Sequence, residues 1–65
     1  MDNNIKELRT KSGLLQEELA KKCGVSRQTV NSIENNRYDP SLSLAFKLAE
    51  VLGVTVDELF NYKSD

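Results

Sequence analysis

Residues 16–37, Gln-Glu-Glu-Leu-Ala-Lys-Lys-Cys-Gly-Val-Ser-Arg-Gln-Thr-Val-Asn-Ser-Ile-Glu-Asn-Asn-Arg, decide the fold. The first part places Leu19, Ala20 and Cys23 together on one helical face, and Gly24 stops the helix by taking a positive φ without a Cβ clash. Ser26 is a helix N-cap. Val30 and Ile33 lie three residues apart and define the buried stripe of a second helix. Asn36, which tolerates positive φ, terminates it. The spacing predicts two short helices crossing at a tight turn, with Ala20 as the small residue that permits close approach.

Outward from this pair, three more helices are expected. Asn3 or Asn4 caps a first helix that turns Ile5 and Leu8 inward and ends at Gly13. Asp39-Pro40 breaks the chain, and Ser41 caps a fourth helix. That helix is apolar on most sides (Leu42, Leu44, Ala45, Phe46, Leu48, Ala49, Val51, Leu52), a pattern that predicts a central, buried element. Gly53 ends it. Thr55 and Glu58 form a Thr-x-x-Glu capping box that opens a short last helix through Leu59 and Phe60. Only residues 54–56 read as strand, and the run is too short to insist on. The expected architecture is all-α, with five helices in one domain over residues 1–65 and the crossed pair at about 16–35.

Composition narrows the function classes. The chain has 65 residues, 38% of them hydrophobic, enough for one small core that is marginally stable alone. Cys23 is the only cysteine and there is no histidine, so an intramolecular disulfide, a Cys/His metal site and a histidine-based triad are excluded. No cofactor or metal is expected, and no nucleophile–base arrangement suggests an enzyme. No apolar run approaches the ~20 residues of a membrane span and no secretory signal is visible, so no membrane association and a cytoplasmic location are expected. Net charge is −1, yet residues 1–40 carry seven basic and six acidic side chains, and residues 41–65 carry two and four. The slight positive tilt of the N-terminal part favours phosphate there.

The second helix of the crossed pair presents Arg27, Gln28, Asn31 and Ser32 outward, with Thr29 at the edge. Arg can fork onto guanine O6 and N7, and Gln or Asn can pair with adenine N6 and N7. Residues near the N-terminus of such a helix reach deepest into a major groove. The N-terminus at Gln16 offers free backbone N–H groups and a partial positive charge to a phosphate. This is the layout of a DNA-reading helix-turn-helix.

The chain resembles the small Cro/CI-type, or XRE-family, helix-turn-helix regulators. The resemblance is carried by Ile5-Lys6-x-Leu8-Arg9, Leu14-x-Gln16-Glu17-Glu18-Leu19-Ala20, Gly24-Val25-Ser26-Arg27-Gln28-Thr29-Val30, Ile33-Glu34-Asn35 and Pro40-Ser41-Leu42, in order along nearly the whole chain. It implies a lambda-repressor-like five-helix fold, double-stranded operator DNA as partner, and a homodimer. It assigns Arg27, Gln28 and Ser32 to base contacts, which Asn31 on the same surface is expected to join, and Gln16, Asn35, Arg37 and the loop that follows to phosphate contacts, which Ser26 and Thr29 are expected to join. Gln16 also buttresses the recognition helix. Arg9 and Glu34 match a buried ion pair between the first and third helices. Phe60 and Tyr62 are assigned to a dimer seam, with Leu59 turned inward. The expected activity is transcriptional regulation, most simply repression, at an inverted-repeat operator. An antitoxin or restriction-modification controller of the same fold, or an interaction module that has lost DNA binding, are the alternatives.

Two positions depart from the family pattern. Leu15 stands where Thr, Ser or Asn usually caps the second helix, leaving Glu18 as half a capping box. Asn36 stands where Gly is commoner. Lys21 and Lys22 read as solvent-facing charges, Cys23 as a small buried hydrophobe, and Tyr38 as either a partner for Pro40 or a phosphate ligand.

Overall fold

The helices assemble in the expected order, and a two-stranded ladder ties the segment before the first helix to the segment after the last. The structure is a computed structural model and describes residues 1–61. Strand β1 (Asp2–Asn3) is followed by α1 (Ile5–Lys11), α2 (Gln16–Cys23), α3 (Arg27–Glu34), α4 (Leu42–Leu52), α5 (Val56–Leu59) and β2 (Phe60–Asn61). The strands pair antiparallel, with Asp2 opposite Asn61 and Asn3 opposite Phe60.

Local chemistry explains most helix ends. Ser26 Oγ accepts the Thr29 N–H at 3.1 Å and Ser41 Oγ accepts the Leu44 N–H at 3.1 Å. At α5 the reciprocal box is complete: the Glu58 N–H donates to Thr55 Oγ1 at 3.2 Å and the Thr55 N–H to Glu58 Oε1 at 3.1 Å. Gly24 closes α2 at φ +72°, where a Cβ would meet no neighbour within 4 Å, so glycine is required there by backbone conformation rather than space. Asn36 takes the left-handed conformation after α3 at φ +61°.

The start of α1 differs from a simple asparagine cap. Asn4 occupies the cap position without a side-chain cap bond. Asn3 Oδ1 accepts the Ile5 N–H instead, at 3.1 Å. Asn4 Nδ2 donates to the Glu58 carbonyl at 3.1 Å, and its backbone N–H to the Leu59 carbonyl at 2.7 Å.

At α2 only half a box exists. The Leu15 N–H donates to Glu18 Oε1 at 2.8 Å, but a leucine side chain cannot return the bond. Leu15 is 65% exposed, so its replacement sacrifices little burial. Leu15→Thr is therefore expected to stabilise the chain by about 0.5–2 kcal/mol. Thermal unfolding checks this, and an unchanged or lower midpoint counts against it.

The core is built by Ile5, Leu19, Val30, Ile33, Leu48 and Leu59, all essentially inaccessible, with Ala20 and Ala49 letting neighbouring elements approach. Full burial of each large aliphatic side chain contributes about 1.5–3 kcal/mol. Cys23 is part of this core, and burial pushes its thiol above the usual range while Lys47 pulls weakly the other way. Helix α4 is central, as its composition implies, but not buried on all sides. Leu42 and Phe46, one turn apart, remain 70% and 58% exposed. The neighbouring helices cover only the side that carries Leu44, Ala45, Leu48, Ala49 and Leu52.

Candidate nucleic-acid interface

Helix α3 owes its two-sided character to its eight residues. Val30 and Ile33 are buried, while Arg27, Gln28 and Asn31 are exposed and Ser32 is half-buried. Arg27, Gln28, Asn31 and Ser32 line one polar surface cleft along the helix. Among the described residues no carboxylate lies within ion-pair distance of Arg27, so its guanidinium keeps its donors facing solvent.

A buried polar cluster fixes how α3 stands on the body. Arg9 Nε donates to Glu34 Oε2 at 2.7 Å and Nη2 to Glu34 Oε1 at 3.2 Å. Arg9 Nη1 donates to the Leu14 carbonyl at 2.8 Å, which fastens the α1–α2 connection. Gln16 Nε2 donates to Glu34 Oε1 at 2.9 Å. The last residue of α3 is thus held by α1 and by the first residue of α2. The side chains of Arg9 and Glu34 are 11% and 2% exposed, so the pair is shielded from water. Gln16 Nε2 carries two N–H groups, and the bond to Glu34 uses one. The second, with the unpaired N–H groups of the first turn of α2, can serve an anion.

The sequence-assigned phosphate residues fall into two kinds. Ser26 and Thr29 are engaged locally, with hydroxyl oxygens 3.0 Å apart and Ser26 capping α3. Asn35 and Arg37 are exposed beyond the other end of the helix. Asn35 Nδ2 donates to the Asn31 carbonyl at 2.9 Å and to Asn31 Oδ1 at 3.3 Å, which orients Asn31 on the outward face. The Arg37 N–H donates to the Ser32 carbonyl at 2.9 Å. Phe60 is half-buried against the core. Tyr62 lies outside the described residues.

Sequence reasoning missed the role of Asn3. Its Nδ2 donates to the Ile33 carbonyl at 2.8 Å and to Asn36 Oδ1 at 3.1 Å, while Asn36 Nδ2 donates to Asp2 Oδ1 at 3.2 Å. The N-terminal strand therefore satisfies carbonyl and amide groups at the C-terminal end of α3. These partners lie thirty or more residues apart, and no local pattern announces them.

A helix-turn-helix family model matches residues 5–59 of the chain. An uncharacterised HTH-type transcriptional regulator of Methanocaldococcus jannaschii is 52% identical over 65 residues, covering 100% of this chain and 98% of that one. Among solved structures, the restriction-modification controller protein C.AhdI from Aeromonas hydrophila superposes with a TM-score of 0.82 at 40% identity, over 88% of this chain and 86% of that one. SinR, a master regulator for biofilm formation solved in complex with DNA, gives a TM-score of 0.75 at 39% identity, over 82% and 86% of the two chains. The matched segment runs from the first residue of α1 to the last of α5. With that span and this level of identity, the chain belongs to the Cro/CI-type, or XRE-family, helix-turn-helix transcriptional regulators.

Proposed function

We propose that this chain is a sequence-specific operator-binding repressor that works as a homodimer, with α3 entering the major groove. The observation that carries the reading is the common cleft of Arg27, Gln28, Asn31 and Ser32 on a helix whose opposite face is locked in the core. Arg27 and Gln28, at the helix N-terminus, read bases, and Asn31 and Ser32 contribute one turn further on. Gln16, Ser26 and Thr29 on one side and Asn35 and Arg37 on the other contact phosphates and set the register. Two such helices read half-sites whose centres are about 34 Å, or roughly 10 bp, apart, so the operator is an inverted repeat. Blocking a promoter by occupancy needs no further domain.

The test is selection of bound sites from random duplex DNA, followed by affinity against salt. The expected result is an enriched inverted repeat and an affinity that falls steeply as salt rises. Binding without base preference and without salt dependence rejects the reading and favours an interaction module that does not use DNA. The likeness to C.AhdI supports a controller role as a second reading, in which the chain binds its own promoter by the same surface. Inverted repeats upstream of its own reading frame distinguish it.

The dimer seam is assigned to the side of α4 left open in the monomer. Phe60 shares an apolar groove with Met1, Pro40, Leu42, Ala45 and Val56, and Phe46 is exposed one turn beyond Leu42. The side of this groove is electrically quiet, because the Met1 amine and Asp39 are paired at 3.0 Å, so a second copy can approach it without like-charge repulsion. Tyr62 belongs to the same proposed seam. Leu42→Lys or Phe46→Lys is expected to yield monomer with an unchanged helical spectrum and weakened operator binding. Sedimentation at high micromolar concentration checks this, and a wild-type chain that is only monomeric at that concentration removes the seam.

A further inference from the structure

The N-terminal strand joins two parts of the molecule that the core connects only indirectly. Helix α3 packs mainly on α2, and α4, which carries one wall of the apolar groove, also packs on α2. Strand β1 bridges the groove and α3 without passing through α2. Met1, next to the strand, lines the groove, and Asn3 pairs in the ladder with Phe60, which lines it too. The Asn3 side chain reaches the other way. Its Nδ2 donates to the Ile33 carbonyl in the last turn of α3, and to Asn36 Oδ1 in the left-handed turn beyond it. Its Oδ1 accepts the Ile5 N–H at the start of α1. One half-buried amide thus has its donor and its acceptor engaged on three segments at once. The Ile33 carbonyl is among those that a helix end leaves without an intrahelical donor. It receives the Asn36 N–H from within the turn and Asn3 Nδ2 from the strand.

We infer that Asn3 is a positioning residue for operator reading: it braces α3 against the β1–β2 ladder and so fixes the recognition helix relative to the seam groove. The inference rests on the dimeric operator reading and adds to it the residue that sets half-site spacing. A dimer reads two half-sites together only if both recognition helices keep one angle and one separation about the two-fold axis. One base pair inserted between the half-sites moves them about 3.4 Å apart and turns them by about 35°. A loose link between seam and α3 absorbs such a change, and a stiff one rejects it. The Glu34 cluster does not supply that link, since Arg9 and Gln16 tie α3 to α1 and α2 rather than to the groove. Asn3 lies outside the polar cleft of α3, so its effect on DNA passes through Ile33 and Asn36.

The competing reading is that Asn3 only caps α1 and steadies the fold. Two variants keep the cap and remove the brace. Asn3→Ser retains a capping oxygen on a side chain too short to reach both acceptors. Asn3→Asp retains it while turning the donor into a second acceptor. Asn4→Ala is the control, because Asn4 Nδ2 holds the Glu58 carbonyl and makes no bond to α3. Affinity is measured for the full chains on the selected operator, on the same operator with one base pair added or removed at its centre, and on an isolated half-site, at a temperature where all remain helical. Wild type and Asn4→Ala are expected to prefer the selected spacing by about tenfold or more, the loss that one misread base pair brings. Asn3→Ser and Asn3→Asp are expected to cut that preference roughly three- to tenfold, the worth of one or two hydrogen bonds. Asn3→Ser, which adds no charge, keeps the wild-type affinity for the isolated half-site. A spacing preference unchanged in both Asn3 variants, beside a normal wild-type preference, overturns the inference alone. An equal loss in Asn4→Ala also overturns it, since the effect then belongs to general loosening of the fold. A wild-type chain indifferent to spacing overturns the dimeric operator reading and the inference together.

Discussion

Replacing Glu34 by alanine is expected to bring the chain close to its unfolding midpoint at room temperature. The carboxylate is 2% exposed and accepts from Arg9 Nε, Arg9 Nη2 and Gln16 Nε2. Its removal leaves the Arg9 guanidinium in a nearly dry site with only the Leu14 carbonyl for company. Breaking one partner of a buried pair costs about 3–5 kcal/mol. A chain of this length has roughly 3–10 kcal/mol in total, at about 0.05–0.15 kcal/mol per residue. The melting temperature should fall by at least ten degrees, since each 1 kcal/mol moves a domain of this size by about 4–8 °C.

The size of that effect comes from the stranded charge rather than from the worth of the pair. Arg9→Met combined with Glu34→Leu is therefore expected to recover much of the loss, because both charges leave together. The same double variant should still bind duplex less well than wild type, since Gln16 and the end of α3 lose their common anchor. Thermal unfolding of wild type and the two variants is the measurement. A Glu34→Ala chain that melts within a few degrees of wild type contradicts the argument, as does a double variant no better than the single one.

These expectations rest on elements that differ in how openly the sequence displays them. Ser26, Ser41, the Thr55–Glu58 box, Gly24 and Asn36 were readable because each acts within four residues of itself. The outward stripe of α3 was readable for the same reason, as the 3.6-residue period alone separates Val30 and Ile33 from Arg27, Gln28 and Asn31. The Arg9–Glu34 pairing came from family resemblance, since nothing local relates two residues twenty-five apart. The β1–β2 ladder and the Asn3 hub were invisible, because two-residue strands carry no period and their partners lie at the far end of the chain or of α3. In α4 the composition was legible but the orientation was not. Eight apolar residues in eleven positions do not say which side neighbours will cover, and Leu42 and Phe46 emerged in solvent.

The largest functional effect is expected at Arg27. It opens α3, the end from which side chains would reach deepest into the groove in the proposed operator complex, and its guanidinium is held by no carboxylate among the described residues. Arg27→Ala should cost about 1–3 kcal/mol on the preferred operator and flatten the preference at one base pair. Its exposure keeps the effect on folding within about 0.5 kcal/mol, so the loss is one of binding. Arg37→Ala, beyond the other end of the helix, should instead weaken all duplexes evenly and lower the salt slope by about one. Arg27→Lys then decides what kind of contact Arg27 makes. Lysine keeps the charge but cannot fork onto two acceptors in one plane. If Arg27 reads guanine, lysine restores general affinity and leaves the base preference flat. If lysine restores both fully, or if Arg27→Ala and Arg37→Ala lose the same factor on every sequence, Arg27 touches backbone, and the base readout passes to Gln28, Asn31 and Ser32.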